Sequence, residues 1–173
     1  MKRLVILGAG ESGVGAAILG KQKGYKVFVS DGGSIVKKYK KVLLHHKINF
    51  EEHQHSETII LKADLVVKSP GIPDHVYIIK QLVEHQVLMI SEIEFASQYT
   101  EGTIIGVTGS NGKTTTTLIT NHLLKAANFN VGLAGNIGNS FAQQVSEQNF
   151  DSYVIELSSF QLDGIINFRP HIA

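Results

Sequence analysis

The sequence predicts an α/β protein made of two consecutive units, each a mostly parallel sheet flanked by helices. Two observations point there. Apolar β-type runs alternate with helical patterns almost throughout, and that alternation is the mark of strand–helix–strand units. Two glycine-rich turns each follow a strand and precede a helix, one after Leu7 and one after Val107. A boundary near Thr100-Glu101-Gly102 separates a first unit, residues 1–100, from a second, residues 101–173.

In chain order, the predicted strands are Leu4–Leu7, Lys26–Ser30, Leu65–Lys68, Val87–Ile90, Thr103–Val107, Val131–Leu133 and Tyr153–Glu156. Predicted helices lie near Gly13–Lys23, Val76–Glu84, Ile93–Gln98, Lys113–Ala126 and Phe141–Gln148. Residues 167–173 read as a loop running into a new strand. A second unit of about 70 residues is small for a nucleotide-binding sheet, so the chain is expected to be a piece of a longer protein.

Composition narrows the function classes. Hydrophobic residues make up 43% of the 173 and charged residues 18%, which suits a globular protein with a real core. The net charge of +1 gives no electrostatic case for nucleic acid or a membrane surface. With no cysteine, disulfides, thiol catalysis and cysteine-based metal sites are excluded. The apolar run Leu4–Leu7 is too short for a secretion signal, and no segment reaches the length of a membrane span, so a cytoplasmic protein is expected.

The second turn carries the most chemistry. Gly109-Ser110-Asn111-Gly112-Lys113-Thr114-Thr115 lies between the strand Thr103–Val107 and a helix. Backbone N–H groups of such a turn converge on phosphate oxygens. Lys113 adds a cation for the β- and γ-phosphates, and the Thr114 hydroxyl is an Mg²⁺ ligand. The reading is a nucleoside triphosphate, ATP. The spacing departs from GxxxxGK[ST], which requires glycine at position 107, where this chain has Val107. Glu156 ends a neighbouring strand, where a carboxylate can hold Mg²⁺ on the γ-phosphate. A surface salt bridge is the competing reading for Glu156.

The first turn, Gly8-Ala9-Gly10-Glu11-Ser12-Gly13, matches GxGxxG, with Asp31 following at the end of the second strand. In a Rossmann-like fold this places a pyrophosphate on the helix N-terminus and a carboxylate on the ribose. UDP, ADP and NAD all satisfy it, and a tight turn serving helix packing alone is the competing reading. Ser69-Pro70-Gly71 follows the strand Leu65–Lys68, at the edge where open α/β sheets bind ligands; a rigid turn explains it equally well. Lys37-Lys38-Tyr39-Lys40-Lys41 reads as a solvated helix face. His53 and His55 are expected on one face of a strand, as surface residues rather than a zinc site.

Together these residues resemble the Mur ligase family, and within it the branch that adds D-glutamate. Four stretches carry the likeness and span essentially the whole chain: Gly8 to Gly13 with Asp31; Ser69 to Gly71; Thr108 to Thr115; and Gly135-Asn136-Ile137-Gly138 with Glu156-Leu157-Ser158-Ser159-Phe160-Gln161-Leu162. The resemblance implies a Rossmann-like UDP-substrate domain followed by the beginning of a P-loop ATPase domain. It implies that Gly10, Glu11, Ser12 and Gly13 face the pyrophosphate and Asp31 the uracil–ribose end. Ser69, Pro70 and Gly71 would line the same cleft, with Asn136 and Ser158 toward the muramoyl part. Lys113 and Glu156 are the implied catalytic pair, and Thr114 and Glu156 the Mg²⁺ ligands.

The implied substrates are UDP-N-acetylmuramoyl-L-alanine, ATP and D-glutamate. The implied reaction runs through an acyl phosphate in peptidoglycan precursor synthesis. The whole protein is expected to be a monomer. The family's later histidine, modified lysine and amino-acid-binding domain have no counterpart here, so the chain alone is expected to be inactive. Two alternatives stay open: an NAD-linked oxidoreductase built on the first turn, and a nucleotide-binding regulatory module.

Overall fold

The computed structural model describes all 173 residues. Its first sheet is fully parallel. It comprises β1 (Arg3–Leu7), β2 (Lys26–Asp31), β3 (Asn49–Glu52), β4 (Leu65–Lys68) and β5 (Met89–Ile90), in the order β3-β2-β1-β4-β5. β1 lies at its centre, with Leu4 opposite Val27 on one side and Leu65 on the other. Leu4, Val5, Ile6 and Leu7 are all buried, as a strand covered on both faces must be. Between the strands run α1 (Glu11–Gln22), α2 (Lys37–His45), α3 (Glu57–Ile60) and α4 (Tyr77–Glu84), and α5 (Glu92–Ser97) follows β5.

The second sheet is also parallel, with β6 (Thr103–Val107), β7 (Val131–Gly135) and β8 (Ser152–Glu156) in the order β6-β8-β7. α6 (Lys113–Ala126), α7 (Phe141–Glu147) and the short α8 (Ser159–Leu162) complete it. The last residues meet this sheet through an isolated bridge between Ile105 and Ile172 rather than as the new strand the sequence predicts. Gly106 N–H donates to Ile172 O at 2.8 Å, and Ile172 N–H to Ile104 O. His171 is used structurally there, its Nδ1 accepting from Ile104 N–H at 3.0 Å.

One apolar core runs through both sheets. It joins Leu4, Ile6, Val27 and Val67 of the first to Ala134, Tyr153 and Ile155 of the second, with α1, α5 and α7 between them. α1 is buried nearly all round, from Gly13 to Gly20, and its small residues make that possible. At Gly15 a Cβ would stand 2.1 Å from Ser140 Oγ, so only glycine lets α1 approach α7 this closely. α4 covers the opposite face of the first sheet through Ile78, Ile79 and Leu82.

Several elements depart from the sequence expectations. β3, α3 and α8 are additional, and β5 begins at Met89 rather than Val87. β3 is an edge strand, Asn-Phe-Glu-Glu, without apolar alternation, and pairing with β2 creates it. The lysine run does form a helix, α2, anchored by buried Leu43. His53 and His55 do not share a strand face. β3 ends at Glu52, and His53 takes a left-handed φ of 60° that turns the chain away.

The two sheets are tied through α5. Ser91 caps it, its hydroxyl accepting from Glu94 N–H. Ser91 N–H donates to Gly164 O at 2.9 Å. Glu92 Oε1 accepts Ala142 N–H, at the start of α7. Glu94, 2% exposed, takes three consecutive N–H groups on one oxygen: Ile166 and Asn167 at 3.0 Å and Phe168 at 2.8 Å. Removing this acceptor strands three donors, so Glu94→Ala is expected to lower stability by about 3 kcal/mol in urea unfolding. In the same variant the amides of Ile166, Asn167 and Phe168 are expected to lose hydrogen-exchange protection.

Candidate active site

Because every strand is parallel, the loops leaving the strand C-termini gather at one edge of each sheet, the edge where open α/β sheets bind ligands. The first glycine turn crosses this edge after β1. Gly8 has φ 90°, and a Cβ there would meet Ser69 Oγ at 2.7 Å. A Cβ at Gly13 would stand 1.9 Å from Gly8 O, so this helix entry requires glycine. Gly10 is the N-cap of α1. The backbone N–H groups of Gly10, Glu11, Ser12 and Gly13 donate no hydrogen bond within the protein. Four free donors at the positive end of a 12-residue helix form an anion cradle.

Asp31 closes the turn from the end of β2. Its Oδ2 accepts Ala9 N–H at 2.7 Å and its Oδ1 accepts Gly33 N–H at 2.8 Å. Ser69 lies across Gly8, and its N–H donates to Leu7 O. Gly10 to Gly13, Asp31 and Ser69 are therefore brought together around one loop.

The second turn leaves β6. Gly109 has φ 141° and Gly112 φ 76°, the latter as the N-cap of the 14-residue α6. None of the backbone N–H groups from Gly109 to Thr115 is used inside the protein. Lys113 Nζ folds back onto Gly109 O, over the mouth of the cradle. Seven unspent donors, a helix N-terminus and a lysine ammonium fit a polyphosphate.

Glu156, 1% exposed at the end of β8, is held from two sides. Thr114 Oγ1 donates to its Oε2 at 2.7 Å and Asn136 Nδ2 to its Oε1 at 2.8 Å. A hydroxyl and a carboxylate in contact, beside a polyphosphate cradle, are the oxygen ligands that Mg²⁺ takes. Gly135 lets this junction close: it has φ 102°, and a Cβ would stand 2.2 Å from Glu156 O. The β8–α8 turn brings Ser158 close by, its N–H and hydroxyl both meeting Gln161 Oε1 at 3.0 Å.

A small cleft, about 70 Å³, opens between the two units. Ser12 and Pro70 line it from the first, and Phe160, Gln161 and Asp163 from the second. Lys68 and Asp74, paired at 2.8 Å, line it as well. Sequence reasoning missed Glu92, which also lines this cleft while only 3% exposed. Its signal was there: an acid beside the capping Ser91, on a helix that also carries the apolar Ile93, Phe95 and Ala96.

Burial pushes the Glu92 carboxyl up to about 7; the Ala142 N–H opposes that rise and the nearby Glu11 charge adds to it. A folded-state value above the ordinary 4.5 means that protonation favours the folded protein. That stabilisation is complete below pH 4.5 and is lost as pH rises through about 7. Over this range the wild type is expected to lose up to about 3 kcal/mol more stability than Glu92→Gln, at 1.36 kcal/mol per pH unit. Urea unfolding of both proteins across pH 4.5–8 measures the difference.

Comparison with known proteins gives the family. A family model for the MurD N-terminal domain matches residues 3–78, and one for the Mur ligase middle domain matches residues 107–173. Two curated relatives are UDP-N-acetylmuramoylalanine–D-glutamate ligases. The one from Bacteroides fragilis is 59% identical over 173 residues, covering 100% of this chain and 39% of the relative. The one from Christiangramia forsetii is 56% identical over 172 residues, covering 99% and 39%. The chain thus spans about 39% of the length of these relatives. Among solved structures, a murein peptide ligase from Psychrobacter arcticus shares the fold at TM-score 0.61 and 23% identity, over 90% of this chain and 37% of that one. A UDP-N-acetylmuramate–alanine ligase from Thermotoga maritima does so at 0.58 and 21%, over 90% and 37%. With a MurD-type N-terminal domain leading into a Mur ligase middle domain, this chain belongs to the Mur ligase family.

Proposed function

We propose that this chain forms the UDP-substrate and ATP sites of a cytoplasmic ligase that joins D-glutamate to UDP-N-acetylmuramoyl-L-alanine. Residues 1–100 form the UDP-substrate domain and residues 101–173 the beginning of the ATP domain. The observation that carries this reading is the position of Glu156, bonded to Thr114 of one loop and to Asn136 of the next, beside a second anion cradle. A single nucleotide cradle would serve an oxidoreductase. Two cradles on one chain suit a reaction that joins a nucleotide-linked substrate to phosphoryl transfer.

In this reading the free N–H groups of Gly10, Glu11, Ser12 and Gly13 hold the UDP pyrophosphate, and Asp31 the ribose end. Ser69, Pro70 and Gly71 bound the cleft, with Asn136 and Ser158 toward the muramoyl group. The N–H groups of Gly109 to Thr115 hold the ATP phosphates. Lys113 leaves Gly109 O and neutralises charge developing on the transferred phosphoryl group. Thr114 and Glu156 hold Mg²⁺, which supplies Lewis-acid neutralisation of the phosphates. The substrate carboxylate displaces ADP from the γ-phosphorus, giving an acyl phosphate. The D-glutamate amine then attacks the acyl carbon, and phosphate leaves as the amide forms. This chain's share of catalysis is positioning and charge neutralisation.

Calorimetric titration tests the reading. The chain is expected to bind UDP-N-acetylmuramoyl-L-alanine and Mg·ATP but not NAD; NAD binding without the UDP sugar would overturn it. Lys113→Ala is expected to weaken ATP at least about tenfold and leave UDP-sugar binding unchanged, because the cradles are separate. Glu156→Gln is expected to abolish the Mg²⁺ dependence of ATP affinity, since the amide can still accept from Thr114 but carries no charge.

A further inference from the structure

We propose that His55, Ser30 and Glu51 form a positioning relay that props the Asp31–Gly33 turn and so fixes the first glycine loop for its nucleotide. None of these three side chains belongs to the cradles described above. The inference rests on the reading of that loop as a nucleotide site. Its test separates the two.

The relay begins at Glu51 on β3. Ser30, wholly buried on the neighbouring β2, lies 2.7 Å from Glu51 Oε1 and 2.7 Å from His55 Nδ1. Ser56 N–H donates to Glu51 Oε1, and the Ser56 hydroxyl and Gln54 amide to Oε2. Burial works against the Glu51 charge, but the Ser56, Ser30 and Gln54 hydrogen bonds outweigh it and hold the carboxyl below its ordinary range. Glu51 is therefore an ionised, acceptor-only group.

That assigns the protons. The single hydroxyl proton of Ser30 goes to Glu51, and the Ser30 oxygen is left to accept. His55 must then donate from Nδ1 in either of its charge states. Gln54 O is a more distant acceptor for Ser30 at 3.4 Å, so with the Ser30 proton on Glu51 the direction runs His55 to Ser30 to Glu51. The imidazole is thereby oriented, and its other edge meets the turn. Its Nε2 lies 3.1 Å from where a Gly32 Cβ would stand, so glycine at 32 lets the ring reach the backbone.

The rest of the 51–55 segment clasps the same turn. His53 N–H donates to Gly33 O at 3.1 Å, and Ile35 N–H to Glu52 Oε2 at 3.0 Å. Lys40 in turn pairs with Glu52 at 2.6 Å. What the turn delivers is Asp31, the carboxylate that holds Ala9 N–H between Gly8 and Gly10. A loose turn leaves that carboxylate, and the cradle beside it, without a fixed position. His55 acts here through Asp31 and not by touching a ligand.

The test uses isotope-labelled chain and needs no ligand for its first readout. In His55→Ala, the amides of Ala9 and Gly33 are expected to exchange about tenfold faster, as befits loss of one part-buried hydrogen bond. Val5 and Ile6 in β1 are expected to stay protected. UDP affinity, read by calorimetry, is expected to fall about tenfold. His55→Asn places an N–H donor where Nδ1 stands and is expected to restore both values. The double variant Ser30→Ala with His55→Ala is expected to be no looser than Ser30→Ala alone, because one relay is broken once.

Wild-type exchange at Ala9 in His55→Ala would overturn the proposal. So would His55→Asn as loose as His55→Ala, which would make ring packing, not the Nδ1 hydrogen bond, the support. If exchange behaves as stated while the wild type binds no UDP, the relay stands and the nucleotide reading of the loop falls.

Discussion

The geometry of this molecule depends on two buried carboxylates on one short helix. α5 leaves the edge strand of the first sheet and sends Glu92 and Glu94 into the second unit, where they accept four backbone N–H groups. A buried N–H without a partner is costly, and so is a buried carboxylate; each removes the other's penalty. Because the acceptors sit on the first unit and the donors on the second, the two units gain this satisfaction only in one relative position. The cleft between Ser12 and Gln161 has a defined width for that reason. Glu92 carries the penalty less completely, with Ala142 N–H as its one hydrogen-bond donor, and its raised pKa is the remaining cost.

The site is built on a complementary principle, donors left unsatisfied on purpose. Four N–H groups at the start of α1 and seven before and within the first turn of α6 have no partner in the protein. In a packed interior this would be a defect. At the C-terminal edge of a parallel sheet, aligned with helix dipoles, it is stored affinity for an anion. Close contacts hold these loops open: Gly13 against Gly8 O, and Gly135 against Glu156 O. At both places a methyl group would push apart the backbones that shape the cradle.

Glu156 shows how one side chain is placed by three elements. β8 carries it, Thr114 arrives from the first turn of α6, and Asn136 arrives from the end of β7. Each of its oxygens has a single donor, which orients the carboxyl while leaving lone pairs for a cation. Asp31 is arranged the same way at the first cradle, with Ala9 N–H and Gly33 N–H on separate oxygens.

Much of this was legible along the chain because its causes are local. Gly8 to Gly13 and Gly109 to Thr115 announce their turns, since the left-handed φ at Gly8, Gly109 and Gly112 and the close approach at Gly13 favour glycine. Thr103–Val107 and Leu65–Lys68 announce their strands, since short, largely apolar runs between turn signals suit sheets covered on both faces. The placement of Glu156 at a strand end followed from the same periodicity. What the tertiary structure alone decided are the features whose causes are distant in sequence. β3 has no strand pattern of its own and exists because β2 offers it hydrogen-bonding partners. Glu92 and Glu94 look like ordinary helix acids until residues 142 and 166–168 arrive beside them. His53 and His55 look like strand neighbours until a left-handed turn separates their roles. Local backbone chemistry is written in neighbouring residues; the satisfaction of a buried polar group is written in whichever segment folds against it.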